Sequence, residues 1–593
     1  MTYMWDLTDL YPSPAAWTAA FARVKADADG LKHLQGTLGA DAGAMLGALD
    51  AISRVRKEHL RLAAYAGLKA DEDLGSASDQ ERRQQADALA TLIGENTAWV
   101  APEILAIGAE RVRSLQAAEP ALVARFGMFL DDTLRAALHT LGLEGESVLA
   151  SAGDVLRQPG NIYDQLADSE LPYPTVKLSD GTGARLNQTA YARYRQVANR
   201  GDRKLVFDAF WGAWKCYEGT IGAVLTSAVM GHVFSAKARK FPNALSTALF
   251  PDNMPEGVYR TLVTEANAGL PSLHRYLRMR KRFLGIEGDM EYYDIYPPMT
   301  RLAAEPRFSI DESERICLEA LAPYGGEYLS FLRTGFQGRW TNGLPRERKA
   351  SGAYMNGLAY DVHPYLLLNH NDDYDSLSTL AHEWGHAVHT MLAAKSQPFE
   401  KSHYSTFIAE SASIASEMLL NDFMVKRAAT RDEKLYYLAE GLESIRGTFF
   451  RQTMFAEFEL AIHEEIEQGR PLSGARLTEL YSRLLKKYHG EAEGVLKINP
   501  AYCLEWVFIP HFYYNFYVYQ YATSMAGAAL FTDAIVSEGA PASERFLAML
   551  RAGGSDYPFE IYRRAGIDMA SPAPYRALIA RMNRIMDEIK ALT

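Results

Sequence analysis

Leu377-Ser-Thr-Leu-Ala-His382-Glu383-Trp-Gly-His386-Ala-Val-His389 carries the pattern His-Glu-x-x-His. On a helix, positions i and i+4 share a face, so His382 and His386 can point at one metal ion. Glu383 projects to one side, where a carboxylate can take a proton from a water on that metal. The chain holds 14 His in 593 residues, and chance supplies only roughly 0.02 such motifs in a chain of this size. The flanking residues support a helix. Ser376 is expected as its N-cap, and Leu377, Leu380, Ala381, Trp384, Ala387, Val388 and Leu392 form an apolar stripe that buries it.

Outward from this stretch, composition narrows the function. Hydrophobic residues make up 48% and charged residues 23% of the chain, which is ordinary for a soluble globular protein with more than one lobe. The net charge of -11 argues against nucleic acid or an anionic membrane surface as partner. Cys216, Cys317 and Cys503 are odd in number and far apart, which fits a reducing compartment and removes thiolate from the metal's ligands. The start, Met1-Thr-Tyr-Met-Trp-Asp-Leu7, has no signal-peptide pattern, and apolar runs are interrupted before 18 residues. A cytoplasmic location is expected.

The rest of the chain reads as mostly α. Ser13-Pro14 starts a helix, residues 40–155 repeat apolar positions at helical spacing, and Thr175-Val-Lys-Leu178 with Ala184-Arg-Leu186 reads as a hairpin. Helices resume near Gln188, one of them covering about 255–283. A domain boundary is expected near 190, with an N-terminal helical lobe over 1–190 and a catalytic domain over 191–593. Residues from Ser351 and from His363 read as two short strands just before the metal helix. Gly352, Ala353 and Tyr354 are expected to form an edge that pairs with substrate backbone.

A catalytic zinc takes three protein ligands and keeps a fourth position open. Glu410, among small and apolar residues in Phe407-Ile-Ala-Glu-Ser-Ala-Ser413, is the candidate third ligand, because a carboxylate buried there needs a partner. Glu417, seven residues on, can accept the second N–H of a ligand histidine. His389 lies on the His382 face but about 10.5 Å along the axis, too far to share the ion, and Leu392 stands where a longer motif would place a third histidine. His389 is expected to pack or hydrogen-bond beside the site. His511 begins a run with five tyrosines to Tyr521, and helical spacing puts Tyr514, Tyr517 and Tyr521 on one face. Imidazole and phenol are the donors a tetrahedral oxyanion needs, so His511 with Tyr514 or Tyr521 are candidates for that work.

Together these residues resemble the oligoendopeptidase F members of the thimet oligopeptidase-like (M3) zinc metallopeptidases. The likeness runs from Trp5-Asp-Leu-Thr-Asp-Leu-Tyr11 through Gly352-Ala-Tyr, the metal stretch, Phe407–Ser413 and the tyrosine run to Gly553-Gly-Ser-Asp-Tyr-Pro558. It implies a mostly α, two-lobed helical zincin with a deep central channel and a small sheet beside the active-site helix. It implies one Zn²⁺ per chain, Glu410 as third ligand, donors in the His511–Tyr521 region, and short peptides as substrates. The two alternatives are a zinc carboxypeptidase or carboxydipeptidase on a related fold, and a peptide-binding protein without turnover.

Overall fold

Ser13 caps the first long helix, Pro14–Gly30, by accepting from Ala16 N–H, with Pro14 at its first position as the dipeptide predicts. This computed structural model describes residues 3–302 and 306–593. Helices dominate it, and the strands are five short ones: β1 (Thr175–Lys177), β2 (Gly183–Arg185), β3 (Thr341–Asn342), β4 (Tyr354–Asn356) and β5 (Tyr365–Leu367). β1 and β2 pair antiparallel as the expected hairpin. The second sheet runs β3-β5-β4, with β5 parallel to β3 and antiparallel to β4.

Contacts group the chain into two units. The first comprises 1–138, 305–423 and 531–567, and the second 139–304, 424–530 and 568–593. This grouping differs from a division at 190 because packing joins segments distant in sequence. In the first unit, Trp17, Leu49, Leu62, Ile93 and Phe126 from the N-terminal helices share one core with Tyr365 and Leu367 of β5. In the second unit, helix Leu143–Gln165 packs on helix Glu218–Ala238, which also meets Arg451–Glu467 and Gly474–His489. Glu218–Ala238 has the length and apolar composition of a membrane span, and 39% of its apolar window is buried. Tyr191, Phe207, Phe210, Trp211 and Trp214 are fully buried nearby, in an aromatic core that Phe508 joins edge-on.

Several local expectations need correction. The helix expected over 255–283 is two, Glu256–Ala268 and Leu270–Phe283, because Pro271 lacks the N–H that would continue the first. β3 is additional to the two strands expected before the metal helix; its two residues are too few for a period-2 signal. Gly352 and Ala353 lie outside β4, since Gly352 has φ +79°, a left-handed conformation that no strand residue adopts. Of the expected edge residues, only Tyr354 is in the strand.

The sheet is pinned by a buried lysine. Lys349 Nζ donates to the carbonyls of Asn342 (3.0 Å), Leu344 (2.7 Å) and Leu368, at the ends of β3 and β5. Replacing Lys349 by Met leaves the Leu344 and Leu368 carbonyls without this donor, at about 1–3 kcal/mol for each that stays buried, while the Asn342 carbonyl keeps the Leu368 N–H at 2.9 Å. Lys349→Met is therefore expected to lower unfolding free energy by about 3 kcal/mol, read as a shifted urea midpoint. An unchanged midpoint would show that water replaces the ammonium without loss.

Candidate metal centre

The helix carrying the motif runs Tyr374–Ser396. Its N-cap is Asp373 rather than Ser376. The Asp373 carboxylate accepts from Ser376 N–H at 2.8 Å, and an acidic side chain one turn earlier also suits the positive helix end. Trp384 is fully buried and needs Gly335 beside it: a Cβ on Gly335 would sit 1.9 Å from the indole.

The second helix of the site is Thr406–Arg427. Gly385 lets the two helices meet, because a Cβ there would lie 2.8 Å from Ser413 Cα and 3.0 Å from the Ala412 carbonyl. A glycine inside a helix costs about 1 kcal/mol relative to alanine, and the close approach is its use here. The connection between the helices is fixed from below by Gly553-Gly554. Gly554 N–H donates to the Lys401 carbonyl at 2.8 Å, and a Cβ on Gly554 would strike the His403 carbonyl.

This packing brings His382, His386 and Glu410 together. The two imidazole Nε2 atoms are 3.2 Å apart, and Glu410 Oε2 lies 3.4 Å from His382 Nε2 and 3.7 Å from His386 Nε2. Ligand atoms about 2.0–2.1 Å from a tetrahedral zinc are separated by about 3.4 Å, so the three donors fit such an ion. Ser413 Oγ donates to Glu410 Oε2 at 3.1 Å and orients it. Glu417 accepts from His382 Nδ1 at 2.5 Å, which turns the opposite nitrogen, Nε2, toward the other donors. Burial opposes charge on His382, but the Glu417 hydrogen bond and the nearby carboxylates lift it to about 9. A proton and a metal ion then compete for the same Nε2 lone pair, so metal uptake releases that proton. Burial pulls His386 down to about 3, with the neighbouring His382 adding to the effect, so it stands ready as a neutral ligand.

Glu383 is 7% exposed. Burial pushes its carboxyl up to about 7; His382 opposes this, Glu410 and Glu417 reinforce it, and the nearby Met355 backbone opposes it. Met355 belongs to β4. A cavity of about 800 Å³ flanks this strand, lined by Tyr354, Met355, Asn356, Thr390, Met391 and Tyr404 among others. Tyr354 is held by Asp71, which accepts from its hydroxyl at 2.6 Å. His389 is fully buried and stacks on Tyr404 at 3.5 Å, and neither ring nitrogen has a hydrogen-bond partner among the described residues.

In the second unit, the tyrosine run does not form one helix. Pro510–Tyr513 is a 3₁₀ turn, Asn515 (φ 47°) and Phe516 (φ 60°) are left-handed, and the α-helix begins only at Tyr519. Two consecutive non-glycine residues in this region cost on the order of 1–3 kcal/mol each, and the reversal breaks the expected helical face of Tyr514, Tyr517 and Tyr521. The rings nonetheless group by a different route. His511 lies 5.7 Å from Tyr514, 6.1 Å from Tyr517 and 6.2 Å from Tyr521, and Tyr514 is 56% exposed. Burial holds His511 below its ordinary value, as a neutral imidazole.

Gly385 and Gly335 are the positions that reading the sequence for chemistry passes over. The glycine inside the motif, where helix propensity disfavours it, is the signal that could have found the first of them.

Comparison with known proteins matches residues 193–580 to the model of peptidase family M3 and residues 103–173 to that of Oligopeptidase F. Oligopeptidase PepF of Bacillus subtilis (strain 168) is 35% identical over 588 residues, covering 99% of this chain and 87% of the relative. The plasmid oligoendopeptidase F of Lactococcus lactis subsp. cremoris is 32% identical over 99% of this chain and 97% of its own length. The crystal structure of oligoendopeptidase-F from Enterococcus faecium superposes with a TM-score of 0.75 at 29% identity, over 96% of this chain and 98% of that one.

Proposed function

The chain belongs to peptidase family M3, among its oligoendopeptidase F members, and from that premise we propose that it hydrolyses internal bonds of short peptides at a zinc centre formed by His382, His386 and Glu410. It is a metallopeptidase by family. The observation that carries the zinc assignment is the convergence of two imidazole nitrogens and one carboxylate oxygen, each 3.2–3.7 Å from the others, a donor set that suits zinc among the common divalent ions.

Zinc bound there supplies a Lewis acid that polarises a carbonyl and acidifies water. The chain's residues do the rest. Glu383, with its carboxyl near neutrality, takes a proton from the attacking water and returns it to the leaving amine. Glu417 keeps the proton of His382 on Nδ1 and so orients Nε2. β4 offers backbone to an extended peptide, with Tyr354 fixed by Asp71. His511 with Tyr514 or Tyr521 donates to the oxyanion that develops on the scissile carbonyl. Short peptides, rather than nucleic acid or membrane, are the partners this chemistry needs. The free cysteines Cys216, Cys317 and Cys503 speak for work in the cytoplasm.

The test is a quenched fluorescent peptide blocked at both ends, combined with metal analysis. One zinc per chain is expected, with cleavage abolished by a chelator and restored by stoichiometric zinc. Activity that survives complete removal of metal would sink the zinc reading. Cleavage confined to peptides with a free C-terminus would mark a carboxypeptidase.

A further inference from the structure

Beneath the His511–Tyr521 turn lies a buried carboxyl that the proposed chemistry does not use. Helix Arg451–Glu467 carries Glu459 and His463 one turn apart. Glu459 is fully buried; one of its oxygens accepts from Phe516 N–H at 2.5 Å, and Oε2 has no partner among the described residues. His463 Nδ1 donates to the Glu459 carbonyl at 2.8 Å, which leaves its Nε2 to accept from His232 Nδ1 at 3.0 Å. The His463 ring packs on Phe516 at 4.4 Å, and Tyr259 meets Phe516 edge-on at 5.6 Å.

Three of these contacts, from Glu459, His463 and Tyr259, converge on Phe516, and that residue has the left-handed φ of 60°. A strained backbone persists only where its surroundings over-determine it. Here the carboxyl holds the amide, and the two rings hold the side chain. The consequence is local and directional. With Phe516 buried and its N–H anchored, Tyr514 is turned outward to 56% exposure, and Tyr517 and Tyr521 are set 5.5 Å apart beside His511. Tyr519, between them, is buried against Tyr259 at 5.1 Å. A reversal anchored on its own core gives the donor rings fixed positions, which an exposed loop of the same sequence would not have.

We infer that Glu459, supported by His463, is a positioning residue for the peptidase reaction: it holds the reversal at Asn515-Phe516 in the shape that presents His511 and the tyrosine donors. The inference rests on the donor roles proposed above. Burial pushes the Glu459 carboxyl up to about 8, against the pull of the Phe516 N–H, so it is neutral at pH 7 and Gln is close to isosteric and isoelectronic with it.

Glu459→Leu and Glu459→Gln would be compared in full-length, zinc-loaded protein. Glu459→Leu is expected to lower kcat on the blocked peptide by about 10²-fold with KM within about twofold. Its affinity for a phosphinic peptide, a tetrahedral mimic, should fall by a similar factor, while peptide affinity in a Glu383→Gln background holds. Glu459→Gln, which keeps the acceptor, should restore kcat to within about threefold. Should Glu459→Leu fail to fold, Glu459→Asp withdraws the carboxyl by one bond, about 1.5 Å, and is expected to show the same split. Unchanged kcat in the folded variants overturns the inference, as does an equal loss of phosphinate and substrate affinity, or a Glu459→Gln variant as damaged as Glu459→Leu. His511→Ala, Tyr514→Phe and Tyr521→Phe, run in the same assay, separate the two layers. If all three keep wild-type kcat, the donor reading itself falls; if they lose it and Glu459 variants do not, only the present inference falls.

Discussion

Glu383→Gln is expected to lose about 10³-fold in kcat on a blocked peptide while keeping its zinc and its KM. The substitution keeps the size of a side chain that is 7% exposed. Fold and ligands are therefore preserved, and what disappears is a proton acceptor. General-base catalysis contributes typically about 10²–10⁴-fold, and 10³ corresponds to about 4 kcal/mol of transition-state stabilisation. Because Glu383 has no part in holding the peptide, the loss belongs in kcat and not in KM. Steady-state kinetics beside metal analysis decides it. A variant with full zinc and wild-type kcat would mean that another group takes the proton, and the assignment of Glu383 would be withdrawn.

Glu410→Ala is expected to weaken zinc binding by two orders of magnitude or more. Structural zinc sites bind with about 10–16 kcal/mol shared over four ligands, or about 3 kcal/mol per ligand. Removing Glu410 leaves His382 and His386 with their nitrogens 3.2 Å apart and no anionic donor. Glu417→Gln is the control. Glu417 reaches the centre only through His382 Nδ1, and losing such an orienting carboxylate costs about 10–100-fold in metal affinity or activity. Competition with a chromophoric chelator ranks the two. If Glu417→Gln weakens zinc more than Glu410→Ala, the roles of the two carboxylates have been exchanged.

What the sequence discloses about this centre follows the range of the interactions. His382, Glu383 and His386 are legible because a helix makes i and i+4 neighbours whatever surrounds them. Glu410 is legible as an oddity, a carboxylate among small apolar residues, but its distance from the histidines depends on two helices meeting. The glycine that permits this faces Ser413 and Ala412, 28 and 27 residues away in sequence, beyond any local pattern. The tyrosine run misleads for the opposite reason. Its spacing is compatible with a helix, and nothing local announces that Glu459 and His463, some 50 residues earlier, stabilise a left-handed reversal at Asn515 and Phe516. The hairpin at Thr175–Arg185 and the cap at Ser13 are self-contained, and both read correctly. The two units interleave segments from across the chain, which no composition shift near 190 could reveal.

Gly385 has one more consequence. With the helix axes set by its missing methyl group, the spacing among the three donors is a manufacturing tolerance held by a residue that offers the ion nothing. A redesign that copied the two imidazoles and the carboxylate onto another helix pair, but filled that position, would hold the right ligands at the wrong gauge. Such a centre would favour larger ions than zinc, and selectivity here belongs as much to the spacer as to the chemistry it spaces.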